Sequence, residues 1–144
     1  MKNLEALIGE WSIEVDLPEA PPGDMGARMT IEWMTGEQFL EMRWTVPVPE
    51  APDGIAIIGF DGGRGTLLQH YFDTRGVARV YEMTFEDGLW TLSRERPDFS
   101  PLDFHQRYEG RFSHDGSTVD GESQISHDAG ATWERDFGLT YRRL

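Results

Sequence analysis

Alternation is the pattern that most constrains this chain. From Trp11 onward the chain breaks into about ten short runs separated by Gly, Pro and Asp; in most of them apolar and polar side chains trade places every second residue, while 55–61 is nearly all apolar. A period of two is the mark of a half-buried strand, because successive side chains point to opposite faces. Trp11, Ile13, Val15 and Leu17 alternate with Ser12, Glu14 and Asp16. Met25, Ala27, Met29, Ile31 and Trp33 form the apolar side of a second run, and Leu40, Met42, Trp44 and Val46 of a third. The Thr35-Gly36 turn makes these two a hairpin. Runs over 55–61, 66–73, 77–85 and 89–94 follow, divided by Gly62-Gly63 with Gly65, by Thr74-Arg75-Gly76 and by Asp87-Gly88. Runs 104–112, 117–126 and 132–142 end the chain, with Asp115-Gly116 and Asp128-Ala129-Gly130 between them. Proline-rich loops occupy 18–24, 47–54 and 95–103, the last with room for one helical turn, because proline cannot donate to a ladder.

Helix is scarce. Asn3 can cap a short helix over 4–8 that Gly9 stops, too short to stand alone and therefore suited to brace or plug something else. Strands with one apolar face must form two packed sheets or close on themselves. Regular nearest-neighbour hairpins favour closure, which also removes exposed edges. The expectation is an all-β antiparallel meander β-barrel of about ten strands with a short N-terminal helix, as a single domain over 1–144. At 38% hydrophobic residues the chain can bury its own core.

Charge narrows the partners. The 26 acidic residues against 13 basic ones give −13, a balance that repels nucleic-acid phosphates and anionic membranes. No run is long enough to span a bilayer, and Glu5 and Glu10 interrupt the opening segment, so neither a membrane anchor nor a secretory leader is expected. Zero cysteines rule out disulfides and thiolate chemistry and fit a cytoplasmic setting. His105, His114 and His127 share no tight ligand spacing, and the glycines at 59, 62, 63 and 65 lack the helix and lysine of a phosphate loop. No metal or cofactor is expected.

The candidate site lies on inward faces. Val77, Arg79, Tyr81, Met83 and Phe85 share one face; so do Phe104, Gln106, Tyr108 and Phe112, then Val119, Ser123 and Ile125, and then Trp133, Arg135 and Phe137. For 66–73 two assignments stay open, with either Leu68, His70 and Phe72 inward or Leu67 and Tyr71. Arg79 and Arg135 are the informative pair. A guanidinium in a low-dielectric interior costs several kcal/mol unless neutralised, and it cannot shed its proton. Each therefore meets an internal carboxylate (Glu41, Glu82 or Asp136), the wet rim, or an anionic oxygen of a ligand. Tyr81 and Tyr108 supply hydroxyls, while Phe72, Trp44, Trp33 and Met42 offer soft walls, a pocket-like set that also suits an ordinary core. His70 is the one histidine suited to proton transfer, with Arg79 or Tyr81 as polarising neighbours.

Three functions fit this set. The first is binding of a small, partly hydrophobic, anionic molecule in the lumen. The second is an isomerase, cyclase or hydrolase that uses His70 as base and Arg79 as oxyanion support. The third is a non-catalytic homodimer joined through an exposed Tyr71 and unpaired strand edges.

The opening helix followed by Gly9-Glu10-Trp11 resembles the G-x-W start of lipocalin and fatty-acid-binding-protein barrels, the calycin-like group, whose tryptophan closes one barrel end. The stretches LIGEW (7–11), TIEWMTGEQFLEMRW (30–44), IIGFD (57–61), QHYFDTRGVARVYEM (69–83) and GATWERDFGLTYRR (130–143) resemble the bacterial domain family DUF1579. That resemblance implies a fold rather than an activity. Arg79-Val80-Tyr81 is similar in spacing to the R-x-Y carboxylate clamp of fatty-acid-binding proteins, which those proteins carry on a penultimate or final strand. Nitrobindin-like barrels hold haem through a histidine near the C-terminus, and here none follows His127.

Overall fold

Strands form wherever the period-two pattern runs. In the computed structural model, which describes residues 2–16, 26–49, 51–99 and 101–144, they are β1 (Gly9–Asp16), β2 (Ala27–Trp33), β3 (Leu40–Thr45), β4 (Gly54–Asp61), β5 (Thr66–Asp73), β6 (Ala78–Glu86), β7 (Leu89–Arg94), β8 (His105–Phe112), β9 (Thr118–Ser126) and β10 (Glu134–Arg143). Each pairs antiparallel with its sequence neighbours, and β1 returns to β10 through Trp11↔Arg143, Ile13↔Tyr141 and Val15↔Leu139. The result is a closed ten-stranded up-and-down barrel, the second of the two arrangements that the alternation allows. Closure gives every strand two neighbours and leaves no free edge strand, which corrects the homodimer expectation on that point. The proline-rich stretch 18–24, with Leu17 and Met25 beside it, lies outside the described residues.

One end of the barrel, here the lower end, is plugged. The predicted helix over 4–8 is a 3-10 helix over Lys2–Leu7 instead, since so short a segment gains too few bonds to hold an α-helix. Its orphan carbonyls are taken up by side chains from the barrel. The Trp11 indole donates to the Leu7 carbonyl at 3.0 Å, and the Arg143 guanidinium donates to Ala6 and Ile8 carbonyls at 2.9 and 2.6 Å. The same guanidinium lies 4.2 Å over the Trp11 ring. Gly9 sits at φ 140°, and a Cβ there would come 2.4 Å from Arg143 Nη1, so the close approach needs glycine. Leu4, Leu7, Trp11, Ile31, Leu40, Ile58, Met83 and Trp90 fill the lower half, none more than 2% exposed.

Aromatic rings set the layers above the plug. Phe112 meets Trp11 and Phe85 edge to face, and Trp90 contacts both Tyr108 and Tyr141. Tyr108 lies over the cross-strand pair Gly110↔Gly121, and a Cβ on Gly121 would meet its hydroxyl oxygen at 2.1 Å. Burial pushes the Tyr108 and Tyr141 hydroxyls well above their ordinary range, so both stay protonated.

The 95–103 segment is stitched to the wall by a buried ion pair. The β7 strand stops at Arg94, whose side chain is 1% exposed, and its guanidinium makes two parallel bonds of 3.0 Å to Asp98 and one of 3.2 Å to the Pro101 carbonyl. Asp98 in turn accepts from the Val80 backbone amide at 2.7 Å, and so covers the side of β6 that β7 leaves unpaired. Arg94 continues the Trp90, Leu92 alternation and is buried with them.

Candidate functional site

The upper half of the barrel differs from the lower. Val15, Trp44, Tyr71, Arg79, Tyr81, Gln106, Ile125, Phe137 and Leu139 belong to the inward face by register, yet all remain partly exposed. Side chains that point at the axis and remain partly accessible distinguish this half from the packed lower one. The strand ends gathered there are Asp16, Ala27, Thr45, Gly54, Asp73, Ala78, Arg94, His105, Ser126 and Glu134.

Register settles which side of β5 faces in. Ile58 pairs with Gln69 and Ala56 with Tyr71, and both Ile58 and Ala56 are fully buried, so Gln69 and Tyr71 point inward with Leu67. His70, Leu68 and Phe72 therefore lie on the outer face. Phe72 is 39% exposed and packs 6.3 Å from Phe99, while His70 opens onto an outer groove of about 350 Å³ under residues 94–99. This corrects His70 as a lumen base and Phe72 as a lumen wall. Tyr71 inward also corrects the exposed Tyr71 contact of the homodimer reading.

Arg135 is corrected as well. The register slips between Arg135 and Phe137, a β-bulge at Asp136, so Phe137 faces in opposite Ser123 while Arg135 faces out opposite Gln124. Its guanidinium, 46% exposed, pairs with Asp16 at 2.9 Å and Glu122 at 3.7 Å. Trp133 precedes the strand and stacks 4.1 Å under Arg107. Three other residues of the proposed wall sit below the upper half. Trp33 is at the plugged end, where its indole donates to Glu5 at 3.2 Å; Met42 is 3% exposed, and Tyr108 is 7% exposed.

Arg79 remains inside. It faces Tyr71 across the β5–β6 pair, donates from Nη1 to Gln106 Oε1 at 3.1 Å, and lies 5.6 Å from the centre of the Phe104 ring. The Tyr81 hydroxyl donates to the same Gln106 oxygen at 3.3 Å, and burial raises its pKa, so it stays a donor. Among the described residues no carboxylate pairs with Arg79, and its Nε is buried without a partner. The nearby carboxylate is already committed. Asp73, with its side chain inaccessible, takes the Tyr71 hydroxyl at 2.6 Å and the Arg75 guanidinium at 2.7 Å. Trp44 lies flat on Gly54 and stacks on Tyr71 at 5.4 Å, and Tyr71 meets Tyr81 edge to face at 6.2 Å.

Burial alone raises the Asp73 carboxyl, but the bonds from Arg75, Tyr71 and the Arg75 amide outweigh it and hold the group at about 2, below its ordinary 3.8. The folded state thus binds a proton there less readily than the unfolded chain. The stability Asp73 contributes is present above pH 3.8 and is lost as pH falls through about 2. Asp115 and Asp128, in exposed turns, are held at about 2 by neighbouring hydroxyls and amides and add their own acid dependence. Acid titration of the wild type against Asp73→Asn should show a shallower loss of stability between pH 4 and 2 in the variant; parallel curves would mean Asp73 is not strongly held.

A second outer groove of about 300 Å³ runs past Glu109, Arg111, Asp120, Glu122 and Arg135, all on the solvent side of the wall. Among the described residues, no three His, Cys, Asp or Glu side chains gather to hold a metal ion, and no helix is long and apolar enough to cross a membrane. The fold is that of an up-and-down barrel of the lipocalin-like and fatty-acid-binding-protein-like class. No protein-family model matches the chain, and no curated protein does.

Proposed function

We propose that the upper half of this barrel binds a small, partly hydrophobic, anionic molecule. One observation carries the reading: among the described residues, the Arg79 guanidinium faces the barrel axis with a buried Nε that bonds to nothing and with no carboxylate partner. A charged donor left so costs about 1–3 kcal/mol or more, which an incoming anion offsets. The Gln106 oxygen is saturated by Arg79 and Tyr81, which fixes both donors in place, and Trp44 with Tyr71 offers a flat apolar wall beside them. Tyr81, Arg79, Gln106, Trp44 and Tyr71 are the residues this reading uses. It places the protein in the cytoplasm, in keeping with its acidic, cysteine-free composition. The finer kinship, with the DUF1579 proteins, rests on the sequence stretches quoted above alone.

Arg79→Gln tests it. With the anionic fluorophore 1-anilinonaphthalene-8-sulfonate as probe, the variant should bind about 10- to 100-fold more weakly than wild type, the worth of a hydrogen bond to a charged group. Arg135→Gln, outside the barrel, should bind as wild type does. Equal affinity in wild type and Arg79→Gln sinks the reading.

A further inference from the structure

A second unsatisfied group sits beside Arg79. Gln69 lies on the inward face of β5 between Ile58 and Tyr81, is 5% exposed, and its Oε1 has no hydrogen-bond partner among the described residues. The Oε1 atom is wholly buried. Leaving such a group unpaired costs about 1–3 kcal/mol, so a sequence chosen for stability alone would place an apolar side chain here, as it does at Ile58 and Ala56 on the facing strand. Tyr71 stands opposite Arg79, and Gln69 opposite Tyr81, so Gln69 and Arg79 are diagonal neighbours on adjacent strands. At such positions backbones lie roughly 7–8 Å apart and long side chains reach the same point. Tyr81, between them on the same face, cannot serve Gln69 with its proton, which goes to Gln106.

We infer that the bound molecule is a hydroxy acid: its acidic group meets Arg79, and a hydroxyl two or three carbons away meets the Gln69 carboxamide. This rests on the anion-binding reading above and adds to it a second polar contact. A hydroxyl both donates and accepts, so it satisfies either atom of the carboxamide, whichever way the amide is turned. An otherwise identical acid without the hydroxyl would leave the Gln69 oxygen unpaired. Sites built to bond a hydroxyl reject the analogue that lacks it more strongly than apolar pockets reject an extra methylene.

Calorimetric titration with 3-hydroxyoctanoate and octanoate separates the two claims. Wild type should bind 3-hydroxyoctanoate at least about tenfold more tightly than octanoate. Gln69→Leu should bind both acids alike, at the octanoate level, and Gln69→Met gives the same reading if the leucine variant does not fold. Arg79→Gln should weaken both acids. If wild type binds the two acids equally while Arg79→Gln still weakens both, the hydroxy-acid assignment is overturned and the anion site stands. If wild type binds neither acid nor the anionic fluorophore, the anion site itself is overturned and the assignment goes with it.

Discussion

Arg94→Met is expected to lower the stability of the barrel by about 3–5 kcal/mol, read as a fall in the urea midpoint. The size follows from what is left behind rather than from what is removed. Asp98 is 8% exposed in its side chain and accepts from the Val80 amide, so without the guanidinium it is a buried carboxylate stripped of its ion-pair partner. The Pro101 carbonyl loses its donor at the same stroke. Segment 95–103 then has little to hold it over the unpaired flank of β6, and the outer groove that it roofs should open. A second substitution distinguishes charge from packing. Asp98→Asn added to Arg94→Met keeps an acceptor for Val80 and removes the stranded charge, so the double variant should recover more than half of the loss. A loss below about 1 kcal/mol for Arg94→Met would show that the segment is held by something else.

Trp11→Ala should cost a comparable amount, about 3–5 kcal/mol, because a large aromatic at 1% exposure leaves a cavity that the surrounding strands cannot close. Three contacts end together: the bond to the Leu7 carbonyl, the edge-to-face contact with Phe112 and the stacked Arg143. The 3-10 helix then keeps only Arg143 as a tie to the barrel wall among these contacts, and Arg143 has lost the ring that supports it. Arg143→Ala tests the coupling. If the two residues act as one latch, the double variant should be less destabilised than the sum of the single ones, by more than about 0.5 kcal/mol. Strict additivity would mean that helix and indole are held independently.

The architecture was legible because nearly every run repeats the same simple rule. Ten strands, their hairpin turns and their closure follow from alternation and glycine placement, and the plugged end follows from the G-x-W opening. The site was less legible, for three particular reasons. Residues 66–73 carry apolar or aromatic groups on both faces, since segment 95–103 covers part of the outside, so alternation alone could not choose between His70 and Gln69. The bulge at Asp136 breaks the period within a single residue and turns Arg135 out, and nothing in the local composition announces it. Arg94 was readable from Trp90 and Leu92, but its neutralising Asp98 lies in a loop, where pairing depends on tertiary contacts. Arg79, Tyr81 and Gln106 were legible because β6 and β8 keep their alternation unbroken, and the structure brings all three together.

The seam between β1 and β10 ties the first strand of the chain to the last, and this has a kinetic consequence. During synthesis β1 can zip only to β2, so its other flank must wait for more than a hundred residues before its partner exists. A ribosome-bound chain stopped short of β10 would be an open ribbon, with main-chain donors and acceptors of β1 and β9 bare to any neighbouring polypeptide. The last step of assembly is therefore also the one that ends the hazard of clumping.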